Sequence, residues 1–215
     1  LLAGSRTPVT LPRRLLLVPA LVLALGPLGV TTASQGSTGA ASRAESRRLV
    51  EKLTRIIERG SRPKAGPLRT TITEGELNAY FAHDGTADLP VGVTQPAVVI
   101  HGDRRVTGSA VVDLDAVRAH HKPTGMLDPM NYLTGKLPVA AAGVLDARDG
   151  KARLQLESAS IAGIPVPRAV LQEVVAYYTR SAEFPKGIDI ADPFPLPAGI
   201  QAIDLGRRGE AVVVQ

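Results

Sequence analysis

Few residues in this chain are spaced to do chemistry. Asp113 and Asp115 alternate along a stretch of strand period and are followed by His120 and His121, so two carboxylates on one face could share a cation with an imidazole. The same pattern suits a solvent-facing strand edge that runs into a polar loop. That is the expected reading, and no metal site is expected. His83 with Asp84 and Asp88 reads as a helix end. Asp189 and Asp192 lie in a Pro-rich stretch near Lys186, whereas a hydrolase built on paired carboxylates needs them fixed across a cleft from one another. There is no Gly-x-Ser-x-Gly elbow and no Ser-x-x-Lys in a setting that would activate the serine. With no cysteine, thiol chemistry and a disulfide framework are both excluded. Gly206-Arg207-Arg208-Gly209 has the wrong spacing for a phosphate loop and reads as a turn. No catalytic residue and no cofactor are expected, so the chain does not read as an enzyme.

The composition narrows the remaining classes. An apolar fraction of 44% in 215 residues supports one ordinary core, but aromatic residues make up only 3%, so that core is aliphatic. The net charge of +5 permits attraction to an anionic surface. Basic residues do not interleave with aromatics, which argues against nucleic acid.

Period and punctuation then define the elements. Arg13 and Arg14 precede an apolar run over residues 15–30 that ends in small residues. Residues 1–33 therefore read as a secretory signal peptide cleaved after Ala33, with an uncleaved N-terminal anchor as the alternative. Residues 34–67 read as a flexible spacer, a basic amphipathic helix over 42–59 and a Pro/Gly linker. In that helix Leu49, Val50, Leu53, Ile56 and Ile57 oppose Arg43, Arg47, Arg48, Lys52, Arg55 and Arg59. The favoured reading packs its apolar face on the domain; the alternative lays it on an anionic membrane surface.

Residues 68–215 read as the folded domain. A strand over 69–73 leads into a helix opened by the capping-box pair Thr73 and Glu76 and ending near His83. Alternation predicts strands over 97–101 and 105–117 around a turn at 102–103, and over 137–147 and 152–160 around Asp149-Gly150. Through Gly163-Ile164-Pro165-Val166-Pro167 the period becomes helical, with Val170, Leu171, Val174, Val175 and Tyr178 on one stripe and Pro167 expected at the first helical position. A Pro-rich loop over 181–197 and a hairpin over 199–205 and 210–214 close the chain. Gly108, Ala110 and residues 140–143 keep mid-strand side chains short, so a helix, another backbone or an acyl chain can come close. The expected fold class is α+β: a long, curved, mostly antiparallel β-sheet wrapped around the C-terminal-half helix, with a short second helix.

The stretch Thr73-Glu74-Gly75-Glu76-Leu77-Asn78-Ala79-Tyr80, the strand entering Gly163-Ile164-Pro165-Val166-Pro167, and Pro195-Leu196-Pro197-Ala198-Gly199-Ile200 before a last hairpin occur in an order that resembles bacterial LmeA-like and YpmS-like cell-envelope proteins, related in fold to the tubular lipid-binding (TULIP) superfamily. The likeness covers residues 68–215. It implies a helix cradled by a curved sheet, an apolar channel that takes lipid tails, and an exported protein of the periplasmic or extracytoplasmic space. Val139, Ala141, Leu154, Val170, Val174 and Tyr178 are the expected ligand-lining residues. The expected partners are a lipid or other apolar small molecule and, peripherally, an anionic membrane surface. The competing expectation is a non-catalytic structural or interaction module of the envelope, in which the helix fills the sheet's concavity.

Overall fold

A computed structural model describes residues 38–62, 66–120, 134–180, 185–187, 189–190 and 192–215. The expected signal segment over 1–33 and His121 lie outside the described residues. Among those described, no helix is long and apolar enough to cross a membrane.

The basic amphipathic segment forms α1 (Thr38–Gly60), longer at its start than its apolar period predicts. Ser46, Leu49 and Ile56 on one side are buried, while Arg43, Arg47, Arg48 and Arg55 are exposed. The helix ends against another part of the chain: a Cβ on Gly60 would stand 2.2 Å from the Ala198 carbonyl oxygen, an approach that only glycine allows. After β1 (Arg69–Thr73), α2 (Glu74–Ala82) opens with the expected capping box; Glu76 N–H donates to Thr73 Oγ1 at 3.2 Å and Thr73 N–H donates to Glu76 Oε2 at 3.0 Å.

The long strands are β2 (Val93–Gly102), β3 (Arg105–Asp113), β4 (Lys136–Arg148) and β5 (Lys151–Ile161), joined in order as an antiparallel meander. Two short strands, β6 (Ile164–Pro165) and β7 (Phe194–Pro195), pair with opposite ends of β5 and complete a six-stranded sheet. A second, three-stranded sheet has the order β1, β9 (Glu210–Val214), β8 (Ala202–Asp204), so the first strand of the domain pairs with its last. The remaining α-helices among the described residues are α3 (Leu114–His120) and α4 (Arg168–Thr179), with a 3-10 turn over Thr86–Asp88. The fold is thus α+β with a large antiparallel sheet.

β2 begins at Val93, four residues ahead of the start expected at 97, and three other boundaries differ from the sequence reading for a local reason. The turn between β2 and β3 is Asp103-Arg104, both at positive φ, because Gly102 pairs with Arg105 and moves the turn on by one residue. The strand expected to reach residue 117 stops at Asp113, whose Oδ1 accepts from Ala116 N–H at 3.0 Å and so starts α3. Pro167 stands one position before α4, with ψ of 141°, as its cap residue. The Asp149-Gly150 turn forms as expected, with φ of 53° and 72°.

The main core is built where α1 and α2 meet the two sheets. It joins Leu49 and Ile56 of α1, Tyr80 and Phe81 of α2, Ile100, Val106 and Leu145 of the large sheet, and Ile72 and Val213 of the small one. Polar contacts bind α1 to α2 beside it: Lys52 Nζ lies 2.6 Å from Glu76 Oε2 and 2.7 Å from Oε1, and Ser46 Oγ donates to the Asp84 carboxylate. On its other side α2 closes the edge of β2. Asn78 Nδ2 donates to Val98 O at 2.8 Å, Val98 N–H donates to Asn78 Oδ1 at 2.7 Å, and Ile100 N–H donates to Glu74 Oε2 at 2.8 Å. Side chains here replace the strand that would otherwise pair with that edge.

Asn78→Ala leaves two backbone groups of Val98 without partners, and urea unfolding is expected to show a loss of about 1–3 kcal/mol. Burial raises the Glu76 pKa, but the hydrogen bonds from Lys52 and Thr73 N–H and the charges of Lys52 and Arg48 outweigh it, and the carboxyl sits below the ordinary glutamate value. Because the folded value is the lower one, this contribution to stability is complete above the ordinary glutamate range and disappears as the pH falls through the folded value. In Glu76→Gln the slope of unfolding free energy against pH should flatten in that acidic window.

Candidate functional site

Side chains of β4 alternate along the strand, and Val139, Ala141, Gly143, Leu145 and Ala147 all lie on the buried face. Cross-strand register continues that face over the neighbouring strands. Val98, Gly108, Ala141 and Ala159 form one row, and Ala110, Val139, Ile161 and Ile164 form the next. Val93, Val112 and Leu137 form a third row at the end of the sheet. The main core covers the opposite end, around Ile100, Val106, Leu145 and Ala147. Ala110, Val139 and Ala141 are buried but are not members of that cluster.

The buried face therefore divides into two parts. One end carries large side chains packed by α1 and α2. The other is an aliphatic surface of small and medium residues that becomes more exposed outward, from Ala141 at 2% to Ile164 at 69%. A β-bulge between Ala142 and Gly143 marks the passage between them. Gly143 is required there, because a Cβ would stand 2.7 Å from the Gln155 carbonyl oxygen.

The expected lining residues are distributed unevenly over this surface. Val139 and Ala141 lie side by side on β4, at 9% and 2% exposed. Leu154, at 3%, shares their face on β5 but pairs with Leu145, nearer the core end. Val170 is 47% exposed on the first turn of α4, whereas Leu171 beside it is buried. The side chains of Val174 and Tyr178 lie outside those described. Sequence reading missed Ala159, Ile161 and Ile164. Their signal was the two-residue turn Ala162-Gly163, both at positive φ, which folds Ile164 back beside Ile161.

A second feature lies beside β5. Val144, Arg153, Leu154, Gln155, Leu156, Glu157 and Arg168 line a half-open cleft of about 410 Å³. The lining joins five consecutive residues of β5 to Val144 of β4, and Arg168 brings the first residue of α4 to it.

The polar groups singled out from the sequence are placed apart, each with a partner of its own. Asp113 caps α3 and lies 3.8 Å from Lys136 Nζ; Asp115 lies 3.0 Å from Arg118 Nη2 and accepts from Gly135 N–H at 3.0 Å. The side chain of His120 lies outside those described. His83 Nε2 is 3.0 Å from Ser42 Oγ, but the adjacent Asp84 is bound to Ser46, and Asp88 accepts from Tyr80 Oη at 2.9 Å. A serine beside an imidazole without a carboxylate on that imidazole is not the relay that nucleophilic catalysis uses. Asp189 and Asp192 are exposed, with Asp192 N–H donating to Asp189 O at 3.1 Å.

Gly143→Ala should force the bulge open and lower stability by about 1–3 kcal/mol, read as a shifted denaturant midpoint, since the nearest atom is backbone that cannot rotate away. Comparisons with protein-family models, curated proteins and solved structures give no match to this chain, so the likeness to LmeA-like and YpmS-like proteins rests on its sequence motifs.

Proposed function

We propose that this is an exported cell-envelope protein that binds or carries a lipid or other long apolar ligand on the aliphatic end of the large sheet, beside α4. The observation that supports this reading is the continuation of the buried sheet face beyond the main core as rows of Gly, Ala, Val and Ile with no polar side chain among them. Such a surface orients nothing by hydrogen bonding. It removes hydrocarbon from water, at about 25 cal/mol per Å² before the entropic cost of binding. The likeness to envelope proteins of the TULIP type supports the same reading.

Contact of α1 with an anionic membrane surface would run through its outward arginines, because the apolar side of that helix is spent on the core. Such contact is electrostatic and weakens with added salt.

A closed structural module is the second reading, favoured by the depth at which Val139, Ala141 and Leu154 already lie. Ala141→Phe separates the two. A filled core should lose about 1–3 kcal/mol from overpacking, whereas a ligand channel should fold normally and lose lipid uptake. Native mass spectrometry of protein purified without detergent is expected to show bound lipid; consistent absence of lipid, together with no uptake of a fluorescent fatty acid, would refute the lipid reading.

A further inference from the structure

Among the described residues, Ile164 and Val170 are the most exposed of the large apolar side chains. Both belong to one knuckle, residues 162–170, that runs from the end of β5 through β6 into the first turn of α4. Ala162 and Gly163 turn the chain at positive φ, and a Cβ on Gly163 would meet nothing within 4 Å, so the turn faces open space. Every residue of the knuckle is exposed except Val166, which is half-buried. Single apolar residues scattered on a surface are ordinary, but a run of them on one turn marks a contact.

The knuckle is also poor in charge. From Ser158 to Gln172 the sequence has no acid, and its single cation, Arg168, is exposed. Pro165 and Pro167 restrict the backbone, and β6 pairs with Ser160 and Ile161, so little chain entropy remains to be lost on binding. Ile164 stands opposite Ile161, whose row continues through Val139 and Ala110, and the exposed tip thus runs directly into the aliphatic end of the sheet face. An ordinary protein interface takes about 20 residues or more from each partner, far more than the knuckle offers. A bilayer surface needs only a few apolar side chains with a cation at the level of the headgroups.

We propose that the knuckle enters the surface of a lipid bilayer, with Ile164 and Val170 among the upper acyl chains and Arg168 at the headgroups. Lipid then passes between the membrane and the aliphatic surface along the row that starts at Ile164. That use of the contact rests on the lipid reading above; the contact itself does not.

The chain has no cysteine, so a single introduced thiol can carry a polarity-sensitive dye. Ala162→Cys places it on the knuckle, Asp103→Cys on the turn between β2 and β3, and Ala44→Cys on the outward side of α1; all three sites are exposed. The labelled full chain is mixed with phosphatidylcholine vesicles whose acyl chains carry bromine near the headgroup. Quenching at position 162 is expected to exceed that at 103 and 44, and to survive added salt. Ile164→Asp combined with Val170→Asp, both at exposed sites, should weaken it about tenfold or more. On vesicles with half their lipid replaced by phosphatidylglycerol, Arg168→Gln should weaken binding about fivefold. No quenching at 162, stronger quenching at 103 or 44, or indifference to the two aspartates would overturn the proposal. So would a dye response at 162 that follows protein concentration without vesicles, which would make the knuckle a contact between copies of the chain. Uptake of a fluorescent fatty acid, measured alongside, keeps the two readings apart. Quenching at 162 without uptake upholds the contact and refutes the lipid site, whereas uptake without quenching refutes the contact alone.

Discussion

The edge of β2 is closed by two side chains of α2, and the rest of the architecture depends on that closure. A long antiparallel meander has two edges, each a row of backbone groups that must be paired or hydrated. Asn78 presents an amide to Val98 as a neighbouring strand would, and Glu74 takes the next free N–H at Ile100. The helix can do this only if it is held at one height along the strand. The capping box fixes its first turn, and Lys52 and Ser46 fix it to α1. Glu76 serves both purposes at once, because its carboxylate belongs to the capping box and also receives Lys52.

The division of the sheet face follows from where its bulk is placed. Tyr80 and Phe81, with ring centroids 6.1 Å apart, both belong to the cluster formed with α1 and α2. Among the described residues, that places two aromatic rings at one end of the sheet. At the other end the rows are built from Gly108, Ala110, Val139, Ala141 and Ala159, which bring little side-chain volume of their own. The contrast between the two ends is the basis for proposing an apolar ligand at the second.

Much of this was legible in the sequence because it is written in short-range terms. The capping box at Thr73 and Glu76, the Asp149-Gly150 turn and the alternation from Val139 to Ala147 are each set within a few residues. What escaped was set by partners distant in the chain. Nothing near Asn78 announces that its amide will meet Val98, and nothing near Ser46 points to Asp84. The strand after Arg105 read as longer than it is because Asp113, which fits the strand alternation, also caps a helix. The importance of α1 was similarly hidden. Its stripe of Leu49 and Ile56 is an ordinary amphipathic signal, and only the tertiary core distinguishes a helix packed at the centre from one resting on a surface. Val139, Ala141 and Leu154 share one buried face, as alternation predicts, whereas the exposure of Val170 illustrates that helical period alone does not decide which side of a helix is covered.

The pairing of β1 with β9 also governs the order in which the molecule can assemble. Arg69 meets Val214 and Thr73 meets Glu210, so the small sheet joins segments separated by nearly the whole domain. The intervening hairpins can form as they are synthesised, but β1 must wait with one edge unsatisfied until residues 210–214 arrive. Loop closure over such a span makes this a late and slow event. A chain that commits its first strand last can have its hairpins formed and still lack a closed domain until the final residues are made.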